Sequence, residues 1–227
     1  MTVKVCVSIS APDIPKLSSK MQQAESLAAD LVEVRLDKLH SYTGLSKIAR
    51  VVKCPLIATN RPVSERGSFR GTQTDRVKIL QQAVSEGFEY ADIEASTPEL
   101  DTTMASLREN GGKIILSHHD HLRTPGLQRL DATLSHLQKY NPEVCKIVTT
   151  AQIAGDNLAI LRFLQTNHRN IPLVGFAMGR AGIWSRLMAP FFGAAFTYAS
   201  LGKGLETALG QPTISELRTI YQTLGLE

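Results

Sequence analysis

The feature that most constrains this chain is an alternation carried from end to end: short β-branched or apolar runs, each followed by a longer stretch of helical periodicity. The runs are Val3–Ser10, Leu31–Asp37, Pro55–Arg61, Tyr90–Ala95, Lys113–His119, Val144–Thr150, Leu173–Met178 and Ala194–Ser200. The helical patterns lie near 16–29, 44–52, 74–86, 98–109, 126–139, 156–167, 182–189 and 213–224. Helix-start chemistry agrees, with Pro98 after Thr97, Asp156 after Gly155, and Pro212-Thr213 ahead of Ile214. Eight β-then-α units in 227 residues, with no linker rich in Pro, Ser or Gly to divide them, predict a closed (β/α)8 barrel, one domain over 1–227. An open doubly wound sheet would bring a glycine fingerprint after its first strand, and neither G-x-G-x-x-G nor G-x-x-x-x-G-K-[ST] occurs.

Composition narrows the function classes. With 43% apolar and 20% charged residues the chain can bury a full core, which excludes a disordered or fibrous protein. A net charge of only +4, with no long Lys/Arg cluster, argues against a nucleic-acid partner. Cys6, Cys54 and Cys145 are odd in number and lack C-x-x-C spacing, as expected of small buried hydrophobes in a reducing cytoplasm. The start, MTVKVCVSISAPD, lacks a signal-peptide layout, and the uncharged stretch Leu187 to Gly202 falls short of the ~20 residues of a membrane span. A soluble, cytoplasmic protein with no membrane partner is expected, and a homodimer is allowed.

In a barrel the active site lies at the C-terminal strand ends, and here those ends are unusually polar. Alternation along LVEVRLD puts Glu33, Arg35 and Asp37 on one face and Val32, Val34 and Leu36 on the other. If the apolar face meets the helices, two carboxylates and a guanidinium line the interior. The third run ends in Asn60-Arg61, the fourth carries Asp92 and Glu94, the fifth ends Ser117-His118-His119-Asp120, the sixth contains Lys146, and Arg186 follows the seventh. Ionisable groups inside a core must be paired or desolvated at a cost of several kcal/mol, so this constellation points to an anion-binding catalytic pocket.

Lys146, in Cys-Lys-Ile-Val, sits where lysine is normally avoided. Inside a parallel strand, desolvation and nearby cations would favour the neutral amine that forms an imine with a ketone. The segment Ser117-His118-His119-Asp120-His121 suits an acid/base role for one inward histidine, and strand parity alone leaves His118 and His119 both open. A metal site there would need ligands from elsewhere, and no H-E-x-x-H or comparable partner occurs. In the loop Arg61 to Gly71, Arg66 and Arg70 read as solvated, whereas Arg61 and Glu65 stand near a strand end and face a ligand.

Taken together, EVRLD at 33–37, the Arg61 and Glu65 pair, DIE at 92–94, SHHD with Thr124-Pro125, CKIV at 145–148, AMGRAGIWSR at 177–186 and GQPTISELR at 210–218 resemble type I 3-dehydroquinate dehydratase. The resemblance spans all eight units in order, with the histidine and lysine 27 residues apart. It implies a (β/α)8 lyase of the shikimate pathway that converts 3-dehydroquinate to 3-dehydroshikimate through a lysine Schiff base, with no metal or other cofactor.

By that resemblance Lys146 is the Schiff-base lysine, His119 the acid/base and Glu65 the carboxylate that orients it. Glu33, Arg35, Arg61, Arg186 and Gln211 match the ligands of substrate hydroxyls and carboxylate, and Met178 the methionine lining the pocket. Members of the family often have an aromatic residue after the H-D pair, where this chain has His121. The serine four residues before the loop glutamine is Thr207 here, and the glycine-rich segment 202–211 is expected to close over substrate. A barrel aldolase acting on a phosphorylated sugar would share the imine lysine, but it needs a phosphate cradle after strands seven and eight, where this chain offers Arg186 and Gln211.

Overall fold

The structure, a computed structural model describing residues 3–226, is a (β/α)8 barrel. Its strands are β1 (Val5–Ile9), β2 (Leu31–Arg35), β3 (Leu56–Thr59), β4 (Tyr90–Glu94), β5 (Lys113–His119), β6 (Val144–Thr150), β7 (Leu173–Met178) and β8 (Thr197–Ser200). Between and after them run α1 (Ile14–Ser26), α2 (Leu45–Ile48), α3 (Gln73–Ser85), α4 (Leu100–Glu109), α5 (Leu127–Gln138), α6 (Asp156–Asn167), α7 (Ile183–Met188) and α8 (Ile214–Thr223). All ladders are parallel, in the order β7-β6-β5-β4-β3-β2-β1-β8. The β7/β8 seam carries no ladder and is bridged by the Ala195 N–H donating to the Leu173 carbonyl at 2.8 Å. For that reason Ala194 to Phe196, read as strand from their apolar character, lie outside β8.

Local chemistry sets the helix ends. The Asp13 carboxylate accepts the Lys16 N–H to start α1, and left-handed Ala28, with φ of 60°, keeps the helix from running on to 29. Thr213 and Glu216 form a reciprocal cap on α8. Gly44, with φ of 94°, opens α2, which is a single turn rather than the longer helix expected over 44–52. Pro98 stands before α4 rather than in its first turn, because left-handed Glu99 intervenes.

Strand alternation divides the interior into two apolar layers. Val5, Val7, Val32, Val34, Ile93, Ile114, Leu116, Cys145 and Ile147 face outward and pack against helix residues such as Leu17, Leu80, Leu107, Leu134 and Leu164. The opposite faces place Cys6, Ile57, Ile115, Val174, Phe176, Phe196 and Tyr198 together inside the barrel. Above that plug the same faces continue with polar residues. β2 behaves as its alternation predicts up to Arg35, after which a 3-10 turn over Leu36–Lys38 begins. Asp37 is consequently buried beneath the loop after β3, where its carboxylate accepts the Ser68 N–H, and it does not line the interior as expected. No helix among the described residues is long and apolar enough to cross a membrane.

The short helix α7 is pinned to β7. The Ser185 hydroxyl accepts the Ala177 N–H and donates to the Gly182 carbonyl, while the Asn157 side-chain amide receives the Ser185 N–H and donates to Ala181. Gly182 fits here because a Cβ would be driven into the Ala177 carbonyl, which is backbone and cannot step aside. Gly182→Ala should therefore lower stability by about 1–3 kcal/mol through overpacking. Gly155→Ala, at helical φ with only an ordinary contact to Ile153, serves as the control and should change little. Chemical denaturation of both variants checks this, and equal stabilities would refute the packing account.

Candidate active site

Six buried charges of alternating sign cross the top of the barrel. Arg76 Nη1 meets Glu94 Oε2 at 2.7 Å, Glu94 Oε1 meets Arg61 Nη1 at 2.6 Å, and Arg61 Nη2 meets Asp92 Oδ1 at 2.9 Å. The other Asp92 oxygen accepts from Lys146 Nζ at 2.8 Å, and Glu33 Oε1 lies 3.5 Å from the same amine. The register explains the assembly: β3 places Thr59 beside Asp92, β4 places Glu94 beside Ser117, and β5 places Ser117 beside Lys146. Remaining acceptors are filled by hydroxyls. Ser117 donates to Asp92 at 2.7 Å, Thr59 donates to Glu33 at 3.0 Å, and Ser8 also donates to Glu33.

Burial works against the charged form of Asp92, but the Arg61 and Lys146 cations outweigh it and hold its carboxyl well below the usual carboxylate range. Burial likewise opposes the Arg61 charge, and Asp92 and Glu94 more than offset it. The sequence led to an expectation of cations crowding Lys146. Its nearest charged neighbours are instead two carboxylates, because the Arg61 charge is itself matched by Asp92 and Glu94. The amine also donates to the Tyr198 hydroxyl at 3.1 Å and sits 4.3 Å from that ring's centroid. Burial, then Glu33, pushes the Tyr198 phenol well above its ordinary value, so it stays neutral.

β5 resolves the histidine parity. Ile115, Ser117 and His119 share the inward face, and His118 is exposed on the other side. Burial, reinforced by Arg61 and Lys146, pushes His119 well below its ordinary value, so its imidazole is neutral at neutral pH. Glu65 Oε2 stands 4.0 Å from His119 Nδ1 and 3.7 Å from His121 Nε2, while its Oε1 accepts the Ser96 hydroxyl at 2.6 Å. The carboxylate is thus shared between two imidazoles rather than dedicated to one.

On the β7 side, α7 delivers Arg186, only 1% exposed, with its guanidinium 4.1 Å from the Phe176 ring centroid. Its Nε and Nη2 have no hydrogen-bond partner and it makes no ion pair among the described residues. Burial pushes the group down to about 9, which leaves a cation at neutral pH. A buried unpaired charge costs several kcal/mol, so the arrangement makes sense as a socket for an anion. Arg35, by contrast, is bound through two nitrogens to Asp37, at 2.8 Å each.

The segment after β8 covers the mouth. Gly179 N–H donates to the Leu209 carbonyl at 3.2 Å. Gly210, with φ of 71°, lies so close to the Gly179 carbonyl that no Cβ fits between them. The Thr207 N–H and hydroxyl both donate to the Gln211 side-chain oxygen, at 2.9 and 3.2 Å, so the two polar groups meet each other at the rim.

Every residue given a catalytic or binding role from the sequence lines one cavity of about 230 Å³. Phe176, Tyr198, Arg66 and His121 also line it and had been given no site role. The first two share strand faces with Met178 and Ser200, and alternation could have found them. Arg76 had no such signal: it lies on a helix, where a charge ordinarily reads as solvent-facing.

The model of the type I 3-dehydroquinase family matches residues 5–227. The 3-dehydroquinate dehydratase of Dehalococcoides mccartyi strain CBDB1 is 36% identical over 221 residues, covering 94% of this chain and 96% of that protein. A bifunctional 3-dehydroquinate dehydratase/shikimate dehydrogenase of Arabidopsis thaliana chloroplasts is 30% identical over 96% of this chain and 36% of its own length. Among solved structures, the 3-dehydroquinate dehydratase of Enterococcus faecalis superposes with a TM-score of 0.83 at 27% identity, covering 97% of this chain and 93% of that one. That of Aquifex aeolicus VF5 gives 0.81 at 26% identity, with 97% and 98% covered.

The unmatched guanidinium leads to a paired expectation. Arg186→Met removes a buried charge, so it should stabilise the ligand-free protein by about 1–4 kcal/mol, while costing small carboxylate ligands at least about tenfold in affinity. Thermal unfolding and calorimetric titration read the two halves. A less stable variant that still binds carboxylates normally would show that Arg186 serves packing rather than anion recognition.

Proposed function

The chain belongs to the type I 3-dehydroquinase family and dehydrates 3-dehydroquinate to 3-dehydroshikimate in the shikimate pathway, and from that premise we propose that Lys146 forms a Schiff base with the substrate while His119 moves the protons. The observation carrying this reading is the Lys146 amine, buried between Asp92 and Glu33 and the one lysine on the cavity wall among the described residues.

His119 takes a proton from the Lys146 ammonium, the freed amine adds to the C3 carbonyl, and the same proton is returned to the carbinolamine oxygen, which leaves as water to give an iminium. That cation keeps the charge the ammonium had, so Asp92 and Glu33 support it as they support the free lysine. Asp92 is too acidic to act as a base, which makes it an electrostatic partner. The iminium draws electrons from C2, and neutral His119 removes the C2 proton to give an enamine. His119 then returns a proton to the departing C1 hydroxyl, which leaves as water. Water hydrolyses the conjugated iminium, releasing 3-dehydroshikimate and restoring the Lys146 ammonium.

Other residues position the ring in this reading. The substrate carboxylate docks on Arg186 in two parallel hydrogen bonds, a geometry lysine cannot reproduce. Glu33, Arg35, Arg61 and Gln211 meet the hydroxyl side, Met178 packs against the ring, and Glu65 stands behind His119 as an orienting carboxylate. Thr207 holds the Gln211 side-chain oxygen and so fixes that amide at the rim. A cytoplasmic setting is supported by Cys6, Cys54 and Cys145 all being free thiols.

Borohydride added during turnover should trap a covalent adduct that peptide mapping places on Lys146, and Lys146→Ala should give neither adduct nor appreciable turnover. His119→Ala should still be trapped but eliminate about 10²- to 10⁴-fold more slowly, with His118→Ala much milder. An adduct on another lysine, or the reverse ranking of the histidines, would overturn the assignment.

A further inference from the structure

His121 sits where members of the family often carry an aromatic residue, and it keeps the aromatic shape while adding a titratable group. Its ring stacks on that of His119 with centroids 5.6 Å apart and planes 6° from parallel. Glu65 Oε2 lies within ion-pair reach of both, at 3.7 Å from His121 Nε2 and 4.0 Å from His119 Nδ1. His119 Nδ1 and both ring nitrogens of His121 have no hydrogen-bond partner among the described residues. Two imidazoles thus stand over one carboxylate, with three of their four ring nitrogens unpartnered among the described residues.

We propose that His121 is a positioning residue that shares Glu65 with His119 and, by taking up the first proton of the pair, holds His119 as the unprotonated base under more acidic conditions than His119 alone would tolerate. This rests on the reading of His119 as the base.

A proton taken from solvent by His121 engages Glu65 at the shorter of the two distances, which withdraws the carboxylate from His119. The same proton puts a positive charge against the stacked ring, and like charges that close resist a second protonation. Both effects act on His119 in the same direction. The order of protonation follows from the surroundings. The His121 side chain is 19% exposed against 11% for His119. Glu65 and Arg66 from the loop after β3, Arg61 at the end of that strand, and the His119 ring are what face His121. His119 faces Arg61, Lys146, Asp92, Glu65 and His121. Of the two, His119 therefore bears the heavier burden of buried cations, and burial depresses it further than it depresses His121.

The test compares wild type with His121→Phe, which keeps a stacked ring and loses the titration. Imidazole C–H resonances of the ligand-free protein are followed against pH, together with kcat/KM for 3-dehydroquinate across the acid limb. Removing the competing charge and releasing Glu65 should move the His119 titration up by roughly half a pH unit or more, and carry the acid limb of kcat/KM upward with it. The readout is the position of the limb, not its plateau, so a role limited to packing would leave it in place. His119 titrating identically in the two proteins overturns the proposal, and so does a limb that moves while His119 does not. A His119 titration that moves while the limb stays put supports the coupling and counts instead against His119 as the base. His121→Gln, uncharged but able to reach Glu65, takes the place of His121→Phe if that variant misfolds, with a smaller upward shift expected because only the competing charge is lost.

Discussion

The Asp92 carboxylate, enclosed between Arg61 and Lys146, is the contact on which the rest of this molecule depends. A lone carboxylate at that depth would be neutralised, and a lone lysine or arginine would be expelled. Set in a row with Arg76, Glu94 and Glu33, each ion is compensated by the next, so ionic machinery can stand directly above an apolar plug. Three cations and three anions leave that row neutral. Arg186 is then the buried cation without a carboxylate partner among the described residues, and an incoming acid finds one place where its charge is wanted.

The row also shapes reactivity. Because Asp92 is held strongly acidic, it stays ionised beside Lys146 and would support a cation there without competing for the protons that the proposed mechanism assigns to His119. Because burial and the flanking cations keep His119 neutral, it is available as a base at neutral pH. In the proposed mechanism the acid/base group, His119, and the electron-sink group, Lys146, are thereby separated by their environments within one cavity, the general pattern by which a fold runs proton transfer in both directions.

Much of this was legible in the chain. Alternation along Leu31 to Arg35 told inside from outside, and β5, β6 and β7 have the ends their apolar runs suggested, since each lies in the sheet interior with partners on both sides save at the β7/β8 seam. Legibility failed where a tertiary contact or a backbone turn overrides local pattern. Ala194 to Phe196 look like strand but meet β7 through a single hydrogen bond. Asp37 has the right parity to face inward, yet the strand ends at Arg35 and the chain turns at Leu36. The partners of Arg61 lie 31 and 33 residues away on β4 and are chosen by sheet register, which no local spacing encodes. His121 lies beyond the end of β5, and its stacking on His119 follows from the path of the loop there.

A structure of the borohydride-reduced adduct would show whether Arg186, the buried cation without an ion-pair partner among the described residues, fixes the substrate's orientation. The expected adduct has a carbon–nitrogen bond at Lys146, the substrate carboxylate on both nitrogens of one edge of Arg186, and Arg61 still bound to Asp92 and Glu94. A carboxylate seated on Arg61 or Arg35, with the Asp92 contacts broken and Arg186 untouched, would contradict it.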